Sequence, residues 1–263
     1  RKENVIFRMH NSRPELNYNI IKTPDKDLNL DLTINKMIND HNLSDISAGI
    51  VFTMHVNGEL GCFDVEQKIR NKFPNIKSYV GQGLDDKTAT LRMSVDHNGF
   101  HAMVISASET VYIDPYSLND TEYCISYYKK DFYATNTKVR DIECVIEKST
   151  NIDGGIPLMI PGQSGDVLRT YKAAIAATAE YTGFHGGTVE DGMAAINTSL
   201  NRVNQVFERE AAIRLILVEN NDEIIYTNST SDPYTNGNTG AMIDENQTNV
   251  DNVIGNGNYD IGH

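Results

Sequence analysis

The chain of 263 residues has no tryptophan and only three cysteines, Cys62, Cys124 and Cys144. An odd cysteine count leaves at least one thiol outside any intramolecular disulfide. No apolar run approaches the ~20 residues needed to cross a bilayer, which excludes a membrane-spanning helix. Basic residues are scarce in the second half. Residues 149–263 hold 5 Lys/Arg against 15 Asp/Glu and residues 1–148 hold 18 against 21, so the nets of -10 and -3 make up the total of -13. A half this acidic offers no patch to neutralise phosphates and argues against nucleic acid as a partner. The opening Arg1-Lys-Glu-Asn is not a signal peptide, so any targeting segment is expected to be removed or not included.

What is present points to packed domains. Hydrophobic residues make up 40% of the chain, enough for cores, and the length suits two domains. The change in charge marks a boundary near residue 150. Residues 151–166 carry four Gly and two Pro with no strong period, the composition of an exposed linker that proteases should cut first. The expected division is therefore 1–148, a linker at 149–166, and 167–263.

The first domain reads as β-rich and antiparallel. Residues 1–45 are Asn- and Asp-rich and are expected to be mostly irregular. Asn57-Gly58 and Asn98-Gly99 each lie between strand-like runs, the strongest short hairpin signal. Strands are expected at 49–56, 59–63, 89–95, 100–105, 110–114, 124–129 and 141–147, with a helix at 64–73 ended by Pro74. Placing Asn98-Gly99 as the two-residue loop pairs His97 with Phe100 and points His97 and His101 to opposite faces, which disfavours a shared metal.

The second domain reads as a βαβ unit. A strand-like run from Leu168 to Tyr181 is broken at Gly183 and Gly186-Gly187. A helix follows with Thr188 as N-cap and Asp191 in the capping-box position. Its apolar positions, Val189, Met193, Ile196, Leu200, Val203 and Phe207, line one face. Ile213 to Val218 reads as a buried strand. The fold class expected for the whole chain is α+β.

These residues, with Gly255-Asn-Gly-Asn-Tyr-Asp-Ile-Gly-His263, resemble the start of the catalytic domain in reprolysin-like metzincin zinc endopeptidases, the secreted bacterial members above all. Phe73 to Arg92, Gly99 to Met103, Val111 to Tyr116 and Ile125 to Asp131 are similar to the propeptide of the same enzymes. The resemblance implies a β-rich prodomain, a cleavable linker and an incomplete metzincin-like N-terminal subdomain. It implies a secreted or extracellular zymogen, an intramolecular contact between prodomain and catalytic domain, and a peptide or protein substrate. Zinc would be held by a later His-Glu-x-x-His-x-x-Gly-x-x-His segment. No His-Glu-x-x-His occurs up to His263, so this chain by itself is expected to have no peptidase activity, no catalytic residue and no zinc ligand.

The same resemblance singles out four residues. Tyr259, Asp260 and His263 match the segment that leads into the substrate-cleft strand. Asp260 is also a calcium candidate, although Lys172 stands where the family's early acidic ligand is expected. Cys144 is a candidate for the inhibitory cysteine switch, since a thiolate is a strong zinc ligand. The competing reading is a packed core thiol, favoured by Ile142 and Ile146 on its own face. Cys62 and Cys124 read as core. A different function class, a non-catalytic β-sandwich adhesion or surface-binding module, fits the Asn-rich composition.

Overall fold

Period-two patterning and tight turns favour antiparallel strands in the first half, and the computed structural model of the protein joins eight of them into one sheet. It describes residues 4–7, 18–22, 52–56, 71–83, 88–107, 110–118, 120–121, 123–130, 132 and 167–263, and the structural statements that follow concern those residues. Cys62, Cys144, the segment at 149–166, the strands expected at 59–63 and 141–147 and most of the helix at 64–73 lie outside them.

The strands are β1 (Asn4–Phe7), β2 (Tyr18–Lys22), β3 (Phe52–Val56), β4 (Lys77–Gly83), β5 (Thr90–Asp96), β6 (Gly99–Ile105), β7 (Thr110–Pro115) and β8 (Tyr123–Tyr128). They are ordered β1-β3-β4-β5-β6-β7-β8-β2, with every pair antiparallel. The region expected to be mostly irregular thus contributes β1 and β2. Their short apolar runs dock on β3 and β8, whose outer N–H and C=O groups would otherwise lack partners. All described strands before residue 129 lie in this one sheet, so the sandwich expected of an adhesion module has no second layer among them.

The sheet is two-faced. Leu91, Met93 and Val95 on β5 join Phe100, Ala102, Val104, Ile113 and Cys124 in an apolar cluster on one side. Cys124 is fully buried there, as its alternating strand suggested. Arg92, Ser94 and Asp96 point the other way and are nonetheless buried.

The 96–99 turn sits one residue away from its expected position. Asp96 pairs with Gly99 and Val95 with Phe100, which leaves His97 and Asn98 as the loop. Gly99 has φ +136°, and a Cβ there would lie 2.7 Å from Pro115 Cγ, so glycine is required at the first strand position. The Asn98 N–H donates to the Asp96 carboxylate at 2.8 Å, which closes the loop from within.

Residues 167–263 form a smaller parallel unit. It comprises β9 (Arg169–Ala174), α1 (Ala179–Phe184), α2 (Val189–Ala211), β10 (Ile213–Leu217), a 3-10 turn (Asn221–Ile224), α3 (Thr239–Val253) and β11 (Ile261–Gly262). The sheet order is β10-β9-β11, with both pairs parallel, as a βαβ crossover requires. The run from Leu168 to Tyr181 is not one strand. It ends at Ala174, and Thr178 opens α1 by accepting a hydrogen bond from the Tyr181 N–H at 3.2 Å. An unrecognised N-cap before a strong helix former, Ala179, explains the difference.

Helix α2 begins as the sequence indicates, with the reciprocal capping box of Thr188 and Asp191. Met193, Ile196 and Leu200 pack on β9 and β10. Val203 and Phe207, expected on the same buried face, are 38% and 41% exposed. The helix end is gripped instead by polar side chains, Asn204 toward β10 and Gln205 toward β5.

Candidate functional site: the α2 interface and the β11 edge

Helix α2 lies between the two sheets and presents each with a different chemistry. Its polar positions recur every four residues, which stacks Asn197, Asn201 and Gln205 on one face. Every second residue of β5 faces that row, and cross-strand pairing adds Ser78, His101 and Asp114. Side-chain hydrogen bonds then run along the seam. Ser78 donates to Asn197 Oδ1 at 3.0 Å and accepts from Asn201 Nδ2 at 2.9 Å. Ser94 and Thr198 hydroxyls meet at 2.9 Å, and Gln205 donates to the Thr90 carbonyl at 2.8 Å.

Charges complete the seam. Arg92, with a side chain only 2% exposed, donates to Glu208 at 2.7 Å, and Glu208 also holds Arg214. Burial pushes the Glu208 carboxyl up, yet Arg214 and Arg92 more than offset it and the net shift is downward. His97 Nε2 lies 2.6 Å from Asp191 Oδ1, so the carboxylate that caps α2 also ties the helix to the 96–99 turn. Burial raises the Asp191 carboxyl, but Thr188 and His97 together bring it below its ordinary value.

Beside this row is a cavity of about 560 Å³ between the sheet and helices α1 and α2. Asp114 is its most constrained wall. Burial alone would raise its carboxyl, but His101 Nδ1 at 2.8 Å, Arg202, and the Tyr127 hydroxyl at 2.8 Å bring it down to about 2. Burial and the adjacent Asp114 push the Tyr127 phenol up. Asp96, also on the wall, is raised by burial. Burial lowers His185, and the nearby His101 adds to the effect. His97 and His101 serve separate carboxylates, Asp191 and Asp114. Among the described residues no group of three or more His, Cys, Asp or Glu side chains could hold a metal ion.

The β11 edge collects the three residues singled out at the C-terminal end. The Asp260 N–H donates to the Lys172 carbonyl at 2.8 Å, and the Asp260 carboxylate accepts from the Lys172 N–H at 2.7 Å. Its exposed side chain thus caps the backbone at the start of the β9–β11 pairing. His263 continues that pairing, donating its N–H to Ala174 and accepting from the Ala176 N–H, with its side chain exposed. The Tyr259 hydroxyl donates to Asp251 at 2.8 Å and accepts from Gln247 at 2.8 Å, fastening the lead-in to α3. Lys172, on β9, presents no carboxylate beside Asp260.

The α2 seam carries the residues that sequence reasoning missed. The signal was there in two polar stripes, Thr90-x-Arg-x-Ser-x-Asp96 on a strand and Asn197, Asn201 and Gln205 on a helix. Each stripe alone reads as a solvent face; only their mutual burial shows that they are made for each other.

Comparison with known families finds a similarity in the parallel unit. Residues 167–263 match the family described as Metallo-peptidase family M12B, Reprolysin-like. The match spans β9 through β11 and does not include the antiparallel sheet. No curated protein sequence matches the chain.

Proposed function

We propose that residues 167–263 are the N-terminal part of the catalytic domain of a secreted zinc-dependent endopeptidase, and that residues 1–148, whose described strands form the antiparallel sheet, are its propeptide-like partner. The observation that carries this reading is the coincidence of the reprolysin-like match with the complete β9–α2–β10–β11 unit. The burial of the α2 polar face by the sheet supports the second half of the proposal, because a prodomain has to grip the domain it accompanies.

On this reading the present residues build scaffold and not chemistry. Zinc in this family activates a water for attack on a peptide carbonyl. The described residues do not fit that ion, since no three ligand-type side chains converge. The role left to this chain is to position the cleft. Asp260 and His263 align β11 beside β9, and β11 stands at the sheet margin among the described strands. The next strands and the zinc helix would extend the sheet from there, with peptide or protein substrate bound beyond. Asp260 as a calcium ligand belongs to the same proposal, with one carboxylate oxygen already committed to Lys172.

The test is the full-length protein. A His-Glu-x-x-His segment downstream of His263, one tightly held zinc and chelator-sensitive proteolysis are the expected results. This chain alone should show neither zinc nor proteolysis. Absence of all three from the full-length protein would overturn the proposal.

A further inference from the structure

One turn of the antiparallel module is built into the core of the other unit. The Ile76 N–H donates to the Phe73 carbonyl at 3.1 Å, closing a turn with Pro74 at its second position, where a fixed φ suits it. Phe73, 9% exposed, is buried with Ala173, Ala177, Met193, Ile196, Leu200, Leu215, Leu217 and Ile225. Every other buried member of that cluster comes from the parallel unit, and Ile76 packs at its side.

Two polar contacts locate the insertion. Lys72 pairs with Asp222 in the 3-10 turn, and Asn75 Nδ2 approaches Glu190 Oε1, in the first turn of α2, at 3.5 Å. Glu190 and Asp222 each stand three residues before a member of the cluster, Met193 and Ile225 respectively. Lys72, Pro74 and Asn75 remain exposed around the buried ring. A desolvated aromatic ringed by solvated neighbours is the usual layout of an interface hot spot.

We propose that residues 167–263 carry a side-chain socket, between the first turn of α2 and the 3-10 turn, that takes an aromatic side chain presented on a Phe-Pro turn. The antiparallel module is its occupant in this chain. Once the connection at 149–166 is cut, that module becomes a separable partner held chiefly by this socket. Apart from the partly buried Ile76 beside it, the seam is hydroxyl, amide and charge, which water can solvate when the surfaces part. Phe73 is the group that water cannot replace, so affinity concentrates there. The proposal rests on this packing and holds whatever chemistry the full-length protein performs.

The chain has no tryptophan, so Phe73→Trp installs a single indole as reporter. A recognition sequence for a site-specific protease is placed within 151–166 of the full chain, which is then cut. The expected emission is blue-shifted before and after cutting, with one red shift on dilution that yields a Kd. In the otherwise unaltered chain, followed by size exclusion, Phe73→Ala should weaken the Kd of the cut halves by about 30-fold or more. Phe73→Leu should fall between the two. Circular dichroism of each uncut variant separates lost association from lost folding. If Phe73→Ala does not fold uncut, Phe73→Leu alone carries the comparison. Halves that separate as soon as the parent is cut, or folded variants that associate as tightly as the parent, would overturn the proposal.

Discussion

The Asn204 side chain acts as a strand partner for Leu215. Its Oδ1 accepts from the Leu215 N–H and its Nδ2 donates to the Leu215 carbonyl, each at 2.8 Å. Asn204 is completely buried at the outer edge of β10, where backbone groups would otherwise face no strand. Asn221 repeats the arrangement on Ile175, accepting from its N–H at 2.8 Å and donating to its carbonyl at 2.9 Å.

Asn204→Leu should therefore destabilise the protein although it adds apolar volume to a buried site. Two backbone groups lose their partner at roughly 1–3 kcal/mol each, which exceeds the gain from burying a Leu side chain, so a net loss of about 2–3 kcal/mol is expected. Asn204→Asp should be worse, because it keeps the acceptor, loses the donor and buries a charge. Urea unfolding followed by circular dichroism measures both. A Leu variant as stable as the parent would mean that β10 does not depend on this clasp.

Arg92 and Arg214 share Glu208 but are not equivalent. Arg92 is 2% exposed and Arg214 21%, so the first is a fully desolvated charge and the second only a partly buried one. Arg92→Met should cost about 3 kcal/mol, since a buried pair loses its cation and Asn201 loses a neighbour. Arg214→Ala should cost less, about 1–2 kcal/mol, and its effect should become smaller in high salt. Equal effects from the two substitutions would show that the deeper burial of Arg92 adds nothing to its pairing with Glu208.

The sequence carried the strands of residues 90–128, the βαβ order and the α2 cap, because each is written in local period or local capping chemistry. The margins were less legible. Thr178 starts α1 inside a run that alternates poorly, and an N-cap without a strong amphipathic face behind it gives little local signal. The 96–99 register depended on Pro115, sixteen residues past Gly99, crowding one glycine. The α2 seam was illegible for a deeper reason. Arg92, Ser94 and Asn201 are polar residues in ordinary solvent-face positions, and only the tertiary arrangement buries them.

Two glycines near α1 should respond oppositely to alanine. Gly183 lies inside the helix with open space where a Cβ would go, so Gly183→Ala should stabilise by up to about 1 kcal/mol. Gly186 has φ +134°, and a Cβ would sit 2.5 Å from the Asp191 carboxylate. Gly186→Ala strains the backbone and pushes Asp191 off Thr188, at a cost of about 2–3 kcal/mol. Thermal unfolding of both variants checks the pair. A neutral Gly186→Ala would mean that the capping box can shift without loss.

The carboxylates of the seam, buried or partly buried, set opposing pH dependences. Asp114, Asp191 and Glu208 lie below their ordinary values of 3.8, 3.8 and 4.5, Asp114 at about 2. Their stabilisation is present above those ordinary values and is lost as pH falls through the depressed folded ones. Asp96 is raised above 3.8 by burial, so its ionisation costs stability at neutral pH and the cost fades as pH falls through its folded value. Asp114, held down to about 2, sets the sign together with Asp191 and Glu208, and the protein should lose stability between about pH 5 and pH 2. Asp96→Asn keeps an oxygen to accept from the Asn98 N–H and removes the buried charge. It should be more stable than the parent at pH 7, with the difference closing as pH falls below the range in which the parent's Asp96 takes up its proton. Urea unfolding at a series of pH values measures both curves. An Asn variant less stable than the parent at pH 7 would show that the backbone donors around Asp96 outweigh its desolvation, and that the charge is held there and not merely tolerated.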